Sequence, residues 1–189
     1  EIPRGYAHCP RLVAFTPMSA RNPDSSPASL SPINRESELR TDAAKLASLW
    51  TTAQIIHMVD NRLSAADDSL TFIDAATVTA LSDVFVAGDR FFLGIGRDDN
   101  QPYFAWHTTW INPPEDDGTE EFEKRKYEGF KSLRELGGTL DADELALAMH
   151  AVGLANWHAT HTHCARCGAA TVSDLGGSVR VCAVDSTQH

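Results

Sequence analysis

The chain has 189 residues and a formal net charge of −10, with 42% hydrophobic and 22% charged residues. That length suits one domain of roughly 150 residues plus a small accessory module, and the composition is that of an ordinary globular chain. The charge argues against a surface built to neutralise nucleic-acid phosphates, and no stretch reaches the roughly 20 apolar residues that cross a bilayer.

The chain starts at Glu1 rather than methionine, so residues ahead of it are expected, and no secretory signal is evident. Residues 1–36 read as an irregular segment, with Pro17, Pro23, Pro27 and Pro32 interleaved with serines. Cys9 in this segment reads as a free thiol without a role. Leu39, Ala43, Leu46 and Trp50 lie at i, i+4, i+7 and i+11, one face of a helix. Gln54 to Val59 reads as a buried strand, Asp67-Asp68 as a turn and Leu70 to Ile73 as a short strand. Val84–Val86 and Phe91–Ile95 flank Gly88-Asp89, the pattern of a two-residue hairpin. Asp98 and Asp99 end it, and Tyr103 to His107 reads as a further strand. Gly94-Ile95-Gly96 lacks the third glycine and the following helix of a dinucleotide fingerprint.

After a break at Pro113–Gly118, Glu120 to Leu136 reads as one helix, with Phe122, Lys126, Phe130 and Leu133 on one side and Gly137-Gly138 as its stop. Asp141 and Glu144 resemble a capping box opening a helix that runs to about His158. Gly153 inside that helix costs about 1 kcal/mol relative to alanine, which suggests close packing there. Strands followed by two helices indicate an α+β domain with an antiparallel or mixed sheet over residues 37–158.

Residues 159–189 carry the chemistry. Cys164 and Cys167 form a C-x2-C knuckle, Cys182 follows, and Asp185 stands where a second knuckle would place its last cysteine. Tetrahedral zinc takes four ligands converging on one point, and two short knuckles on facing turns supply them. Thr171-Val172 and Val179–Val181 read as strands joined at Gly176-Gly177, which makes the segment a zinc ribbon. Carboxylate oxygen is an acceptable zinc donor, so Asp185 is the expected fourth ligand; His161, His163 and His189 are close enough in sequence to replace it. A Cys164–Cys167 disulfide and a ribbon that folds without metal are the other readings. Three cysteines at metal spacing fit a reducing cytoplasm better than a disulfide scaffold.

The run Leu145 to Gly168, with Trp157-His158 leading into Cys164-Ala-Arg-Cys167-Gly168, resembles the NADH pyrophosphatase family of Nudix hydrolases. In that family an Ala/Leu-rich helix ends in Trp-His and runs into Phe-Cys-x-x-Cys-Gly; His163 replaces the aromatic residue here. Asn34-Arg35 with Glu38-Leu39-Arg40, Leu49-Trp50, Phe92-Leu93-Gly94 and Tyr103-Phe104-Ala105 are similar to actinobacterial members. The resemblance implies a Nudix-like N-terminal domain, a structural zinc ribbon, a homodimer, and a parent reaction that hydrolyses NAD(H) to nicotinamide mononucleotide and AMP, with NAD-capped RNA as a further substrate in some members. It also implies that the catalytic box, Gly-x5-Glu-x7-Arg-Glu-x2-Glu-Glu-x-Gly, whose glutamates hold Mg²⁺ or Mn²⁺, lies beyond His189. Within the chain, Arg134-Glu135-Leu136 is followed by Gly137-Gly138 rather than paired glutamates and reads as a helix end, so residues 1–189 are expected to be inactive alone. A stand-alone zinc-binding interaction or scaffold module is the alternative.

Other constellations read as structural. His57 lies mid-strand and His107 beside Trp106; His150, His158, His161 and His163 form a loose cluster, and the acidic run from Glu115 to Glu123 suits a solvated loop and helix start.

Overall fold

The computed structural model describes residues 32–86, 88–113 and 115–189; the stretch through Pro17, Pro23 and Pro27, and Cys9, lie outside the described residues. β1 (Ile33–Asn34) leads through a 3-10 turn (Leu39–Thr41) into α1 (Ala43–Trp50). β2 (Gln54–Val59) and β3 (Arg62–Ala66) form a hairpin, followed by β4 (Ser69–Leu70), β5 (Phe72–Ile73) and α2 (Ala75–Ala80). Next come β6 (Phe85–Val86), β7 (Arg90–Gly96) and β8 (Pro102–Trp110), then α3 (Glu120–Lys126), β9 (Phe130–Ser132), α4 (Leu133–Leu136) and α5 (Ala142–Thr160). The sheet runs β1-β7-β8-β2-β3-β4 in space, with β5 on β2, β6 on β8 and β9 on β3. It is mixed: β2 and β8 are parallel, and the other pairs are antiparallel.

Both faces of the sheet are covered, which gives the expected α+β architecture. Side chains alternate across a strand. Ile56 and Met58 therefore join Phe91, Leu93 and Tyr103 in a cluster that packs on Leu147, Ala148, Ala151 and Ala155 of α5. Ile55 and Val59 join Phe92, Phe104 and Trp106 on the opposite face, against Trp50 of α1 and Val78 of α2. His57 is fully buried and stacks on Trp106 at 4.6 Å, edge-on to Phe85 and Phe130, so it points away from Ile56 and Met58. Its Nε2 lies 2.8 Å from the Thr108 hydroxyl, and burial holds its pKa down to about 3. It is a neutral core residue.

Four expectations are corrected. Ile33–Asn34, read as irregular, pairs with Gly96 and Ile95 as an edge strand. Gly88-Asp89 is not a hairpin turn. β6 and β7 both pair antiparallel with β8, Phe85 opposite Trp110 and Arg90 opposite Trp106. A Cβ on Gly88 would stand 1.6 Å from the His107 carbonyl oxygen, so glycine serves a close approach to β8 at a break in the ladder. The hairpin is β7–β8, closed where the Gly96 N–H donates to the Gln101 carbonyl at 2.8 Å.

The single helix over 120–136 is broken into α3, β9 and α4. The edge of β3 offers unpaired backbone groups, and Phe130, Lys131 and Ser132 take them opposite Ser64, Leu63 and Arg62. Gly129, with φ of +78°, makes the turn, and its carbonyl accepts from the Ala65 N–H at 2.9 Å. A new helix starts at Ser132, whose capping box with Glu135 satisfies both backbone donors. Glu135 also pairs with Arg62 at 3.1 Å, so Arg134-Glu135-Leu136 is structural. Finally, Gly153 meets nothing within 4 Å of a built Cβ, so no close packing requires it.

Candidate metal centre

α5 carries the chain straight into the ribbon. Asp141 caps its start by accepting from the N–H groups of Asp143 and Glu144. Glu144 does not return the bond as a capping box would; it accepts from the Leu70 N–H at 3.2 Å and ties α5 to β4. Beyond the helix, β10 (Thr171–Asp174) and β11 (Val179–Cys182) pair in register, Thr171 opposite Cys182. A turn at Leu175–Gly177 joins them. It lies against Phe91 and Phe92, on the part of β7 that β1 leaves unpaired.

The seam between ribbon and domain is polar at its centre. His158 Nδ1 lies 2.7 Å from Arg180 Nη1, and its Nε2 lies 2.8 Å from the Gly177 carbonyl. Arginine can only donate, so Nδ1 accepts and the proton sits on Nε2, donating to Gly177. Burial lowers the His158 pKa and keeps this neutral form. Arg180 is itself buried and donates from Nε to the Thr171 hydroxyl and from Nη2 to the Thr171 carbonyl. Phe91 stacks on the His158 ring at 4.7 Å. The sequence reading missed this bridge; the available signal was Arg180 alternating with Val179 and Val181 in a strand.

The two knuckles are built alike. In the first, the Gly168 N–H donates to the Cys164 carbonyl at 2.9 Å and the Arg166 N–H to Cys164 Sγ at 3.4 Å. In the second, the Ser186 N–H donates to the Cys182 carbonyl at 3.1 Å and the Val184 N–H to Cys182 Sγ at 3.4 Å. Gly168 and Ser186 both take positive φ, +74° and +57°, at the matching position. Asp185 therefore stands where Cys167 stands in the first knuckle.

One ligand atom from each of Cys164, Cys167, Cys182 and Asp185 lies within 4.8 Å of the others. Cys167 Sγ and Cys182 Sγ are 3.5 Å apart, and all three cysteines are free thiols. Four donors so spaced fit a tetrahedral ion with metal–sulfur bonds of about 2.3 Å. The N–H groups of Cys167 and Arg166 hold the Cys164 thiol down to about 6, and the Thr187 N–H holds Asp185 to about 2. Thiolate and carboxylate are the forms a cation takes. The N–H groups of Asp185 and Val184 pull the Cys182 thiol down, yet burial and its bond to the Asp185 carboxylate push it up to about 11.

The histidines weighed as substitutes are placed otherwise. His189 Nε2 lies 3.3 Å from Cys164 Sγ, outside the group of four whose ligand atoms all lie within 4.8 Å of one another. His161 Nδ1 sits at the Trp157 carbonyl and His163 Nδ1 at the Thr162 hydroxyl. His150 is at Arg35, 3.0 Å away, and His150, His158, His161 and His163 form no metal-compatible group among the described residues. The acidic run is exposed, with Asp117 paired to Arg125 at 2.7 Å. Among the described residues the Cys164, Cys167, Cys182 and Asp185 group is the one metal-compatible cluster of His, Cys, Asp and Glu, and no helix is long and apolar enough to cross a membrane.

A family model described as the NADH pyrophosphatase-like rudimentary NUDIX domain matches residues 62–157. A second, the NADH pyrophosphatase zinc ribbon domain, matches residues 159–189. No curated protein matches the chain. The two models follow one another along the chain in the order of the sheet domain and the ribbon that the structure shows, and the chain belongs to the NADH pyrophosphatase family.

Proposed function

We propose that residues 1–189 are the N-terminal and zinc-ribbon portion of an NAD(H) diphosphatase. The whole enzyme would hydrolyse the pyrophosphate of NAD(H) to nicotinamide mononucleotide and AMP, with NAD-capped RNA as a second substrate. The observation that carries this reading is the consecutive match to both family domains, with a four-donor cluster inside the second.

In this account Cys164, Cys167, Cys182 and Asp185 hold one structural Zn²⁺. Four protein ligands leave no open position for water or substrate, so the ion would cross-link the two knuckles rather than take part in hydrolysis. The chain's own residues then do three things. The knuckle N–H groups stabilise the charged ligands, the His189 imidazole steadies Cys164, and the His158–Arg180–Thr171 bridge fixes the ribbon on the domain. Residues 1–189 contain no Nudix box, so the glutamates that would hold Mg²⁺ or Mn²⁺ are not among them. This portion would be structural and dimer-forming, in a cytoplasmic homodimer, with no direct part in nucleic-acid binding.

The test is AMP release from NADH in Mg²⁺, comparing residues 1–189 with a protein from the same reading frame continued past His189. Residues 1–189 should release none, and the longer protein should release AMP and lose that activity when its box glutamates are changed to glutamine. A longer frame without hydrolysis would overturn the diphosphatase reading. Hydrolysis by residues 1–189 alone would overturn their non-catalytic role.

A further inference from the structure

Arg40 lies in the 3-10 turn ahead of α1 and is only 6% exposed. Its Nε donates to the Arg35 carbonyl at 3.0 Å, but both terminal nitrogens, Nη1 and Nη2, are buried and have no hydrogen-bond partner among the described residues. The guanidinium lies over the Phe92 ring at 5.0 Å, and Nη1 is 3.8 Å from where a Cβ on Gly176 would stand. A cation–π contact offsets only part of what burying a guanidinium costs, and unpaired buried donors cost more.

The neighbours deepen the imbalance. Arg35 Nη2 lies 3.0 Å from His150 Nε2 on α5. Neither arginine forms an ion pair with a carboxylate among the described residues. Burial first, and then Arg35 and Arg40, hold the His150 pKa down to about 4. Arg35 thus links the two, its carbonyl bonded to Arg40 and its guanidinium at His150, in a chain whose net charge is −10. Exposure is graded across the group: Arg40 is buried, His150 half-buried and Arg35 open to solvent.

We propose that Arg35, Arg40 and His150 form a binding site for a phosphate-type oxyanion, separate from the cysteine cluster. The oxyanion enters from the Arg35 side and accepts from the terminal nitrogens of Arg40 and from Arg35, the charge-assisted pairing that arginine's planar fork favours. Because Arg40 lies beside Gly176 of the ribbon turn and Arg35 beside α5, a bound anion ties the first turn of the domain to both. The proposal is independent of the metal assignment and of the hydrolytic reading.

Calorimetric titration of residues 1–189, zinc-loaded and at constant ionic strength, with inorganic phosphate and with AMP tests it. Saturable binding of one anion per chain is expected, weakened about tenfold or more in Arg40→Met. Arg35→Ala changes an exposed side chain and serves as the second variant if Arg40→Met fails to fold; it should weaken binding in the same direction. The His150 imidazole, followed by NMR, should titrate higher with phosphate bound than without. Tighter binding of AMP than of phosphate would identify a nucleotide phosphate as the source, and equal binding a free phosphate. Absence of saturable binding for both, or unchanged affinity in the variants, would overturn the site.

Discussion

Gly177→Ala should destabilise the protein by several kcal/mol, although it adds one methyl group. Gly177 has φ of +85°, a conformation an L side chain rarely adopts, at a cost of about 1–3 kcal/mol. Its built Cβ would stand 2.5 Å from Phe91 Cδ1 and 3.3 Å from Phe91 Cα. Phe91 is fully buried and stacked on His158, so its ring cannot swing aside without losing that contact. Overpacking of this kind costs about 1–3 kcal/mol more, for a total of roughly 2–6 kcal/mol. The Gly177 carbonyl is also the acceptor for His158, so a shifted turn loosens the seam. Urea unfolding of the zinc-loaded protein, with zinc content measured in parallel, reads the effect as a lower midpoint at unchanged slope. A variant within about 0.5 kcal/mol of the parent would refute the packing of ribbon on β7.

The same substitution at Gly153 should act in the opposite sense, stabilising by about 1 kcal/mol, because the site is helical and open; a loss of stability in the same assay would mean that a partner covers this face. Thr108→Val leaves the buried His57 imidazole without its side-chain partner and should cost about 1–3 kcal/mol by urea unfolding; no loss would show that the bond is not needed. Stability should fall in acid. His57 titrates near 3 when folded and near 6.5 when unfolded, so its contribution is complete above pH of about 6.5 and is lost as pH drops toward 3, at up to about 1.4 kcal/mol per pH unit. Burial shifts His107, His150 and His158 in the same direction. NMR titration of the imidazoles checks this, and a His57 ring protonating near pH 6 would contradict it.

The sequence was readable where local and tertiary preferences agree. Gln54 to Val59 has the residue preferences of a strand and is one in the sheet, and Asp141 caps α5 as its side chain favours. The ribbon strands were legible because the cysteine knuckles and paired glycines mark their ends. Reading failed where a distant partner decided the outcome. Residues 130–132 look helical by spacing, but the free edge of β3 claims them, and Gly129 with the Ser132–Glu135 pair was the local hint. β3 itself went unread because Arg62-Leu-Ser-Ala-Ala66 carries little strand preference and owes its place to pairing. Gly88 looked like a turn residue, since nothing in its neighbourhood announces the His107 carbonyl against which it packs. The grouping of Cys164, Cys167, Cys182 and Asp185 follows the spacing of two four-residue knuckles, whereas spacing alone had left His161, His163 and His189 open in place of Asp185. The burial of Arg40 was not visible, and the His158–Arg180 bridge was signalled only by Arg180 standing between Val179 and Val181, since the groups that surround them lie in other elements.

The central claim is that Asp185 completes a zinc site begun by three cysteines. Elemental analysis of the purified chain, beside Asp185→Ala and Cys182→Ala, tests it most directly. The account predicts a zinc-to-protein ratio of about one in the parent, and zinc lost to mild chelation in both variants. A parent chain without zinc, or an Asp185→Ala variant that holds zinc as tightly as the parent, would contradict it.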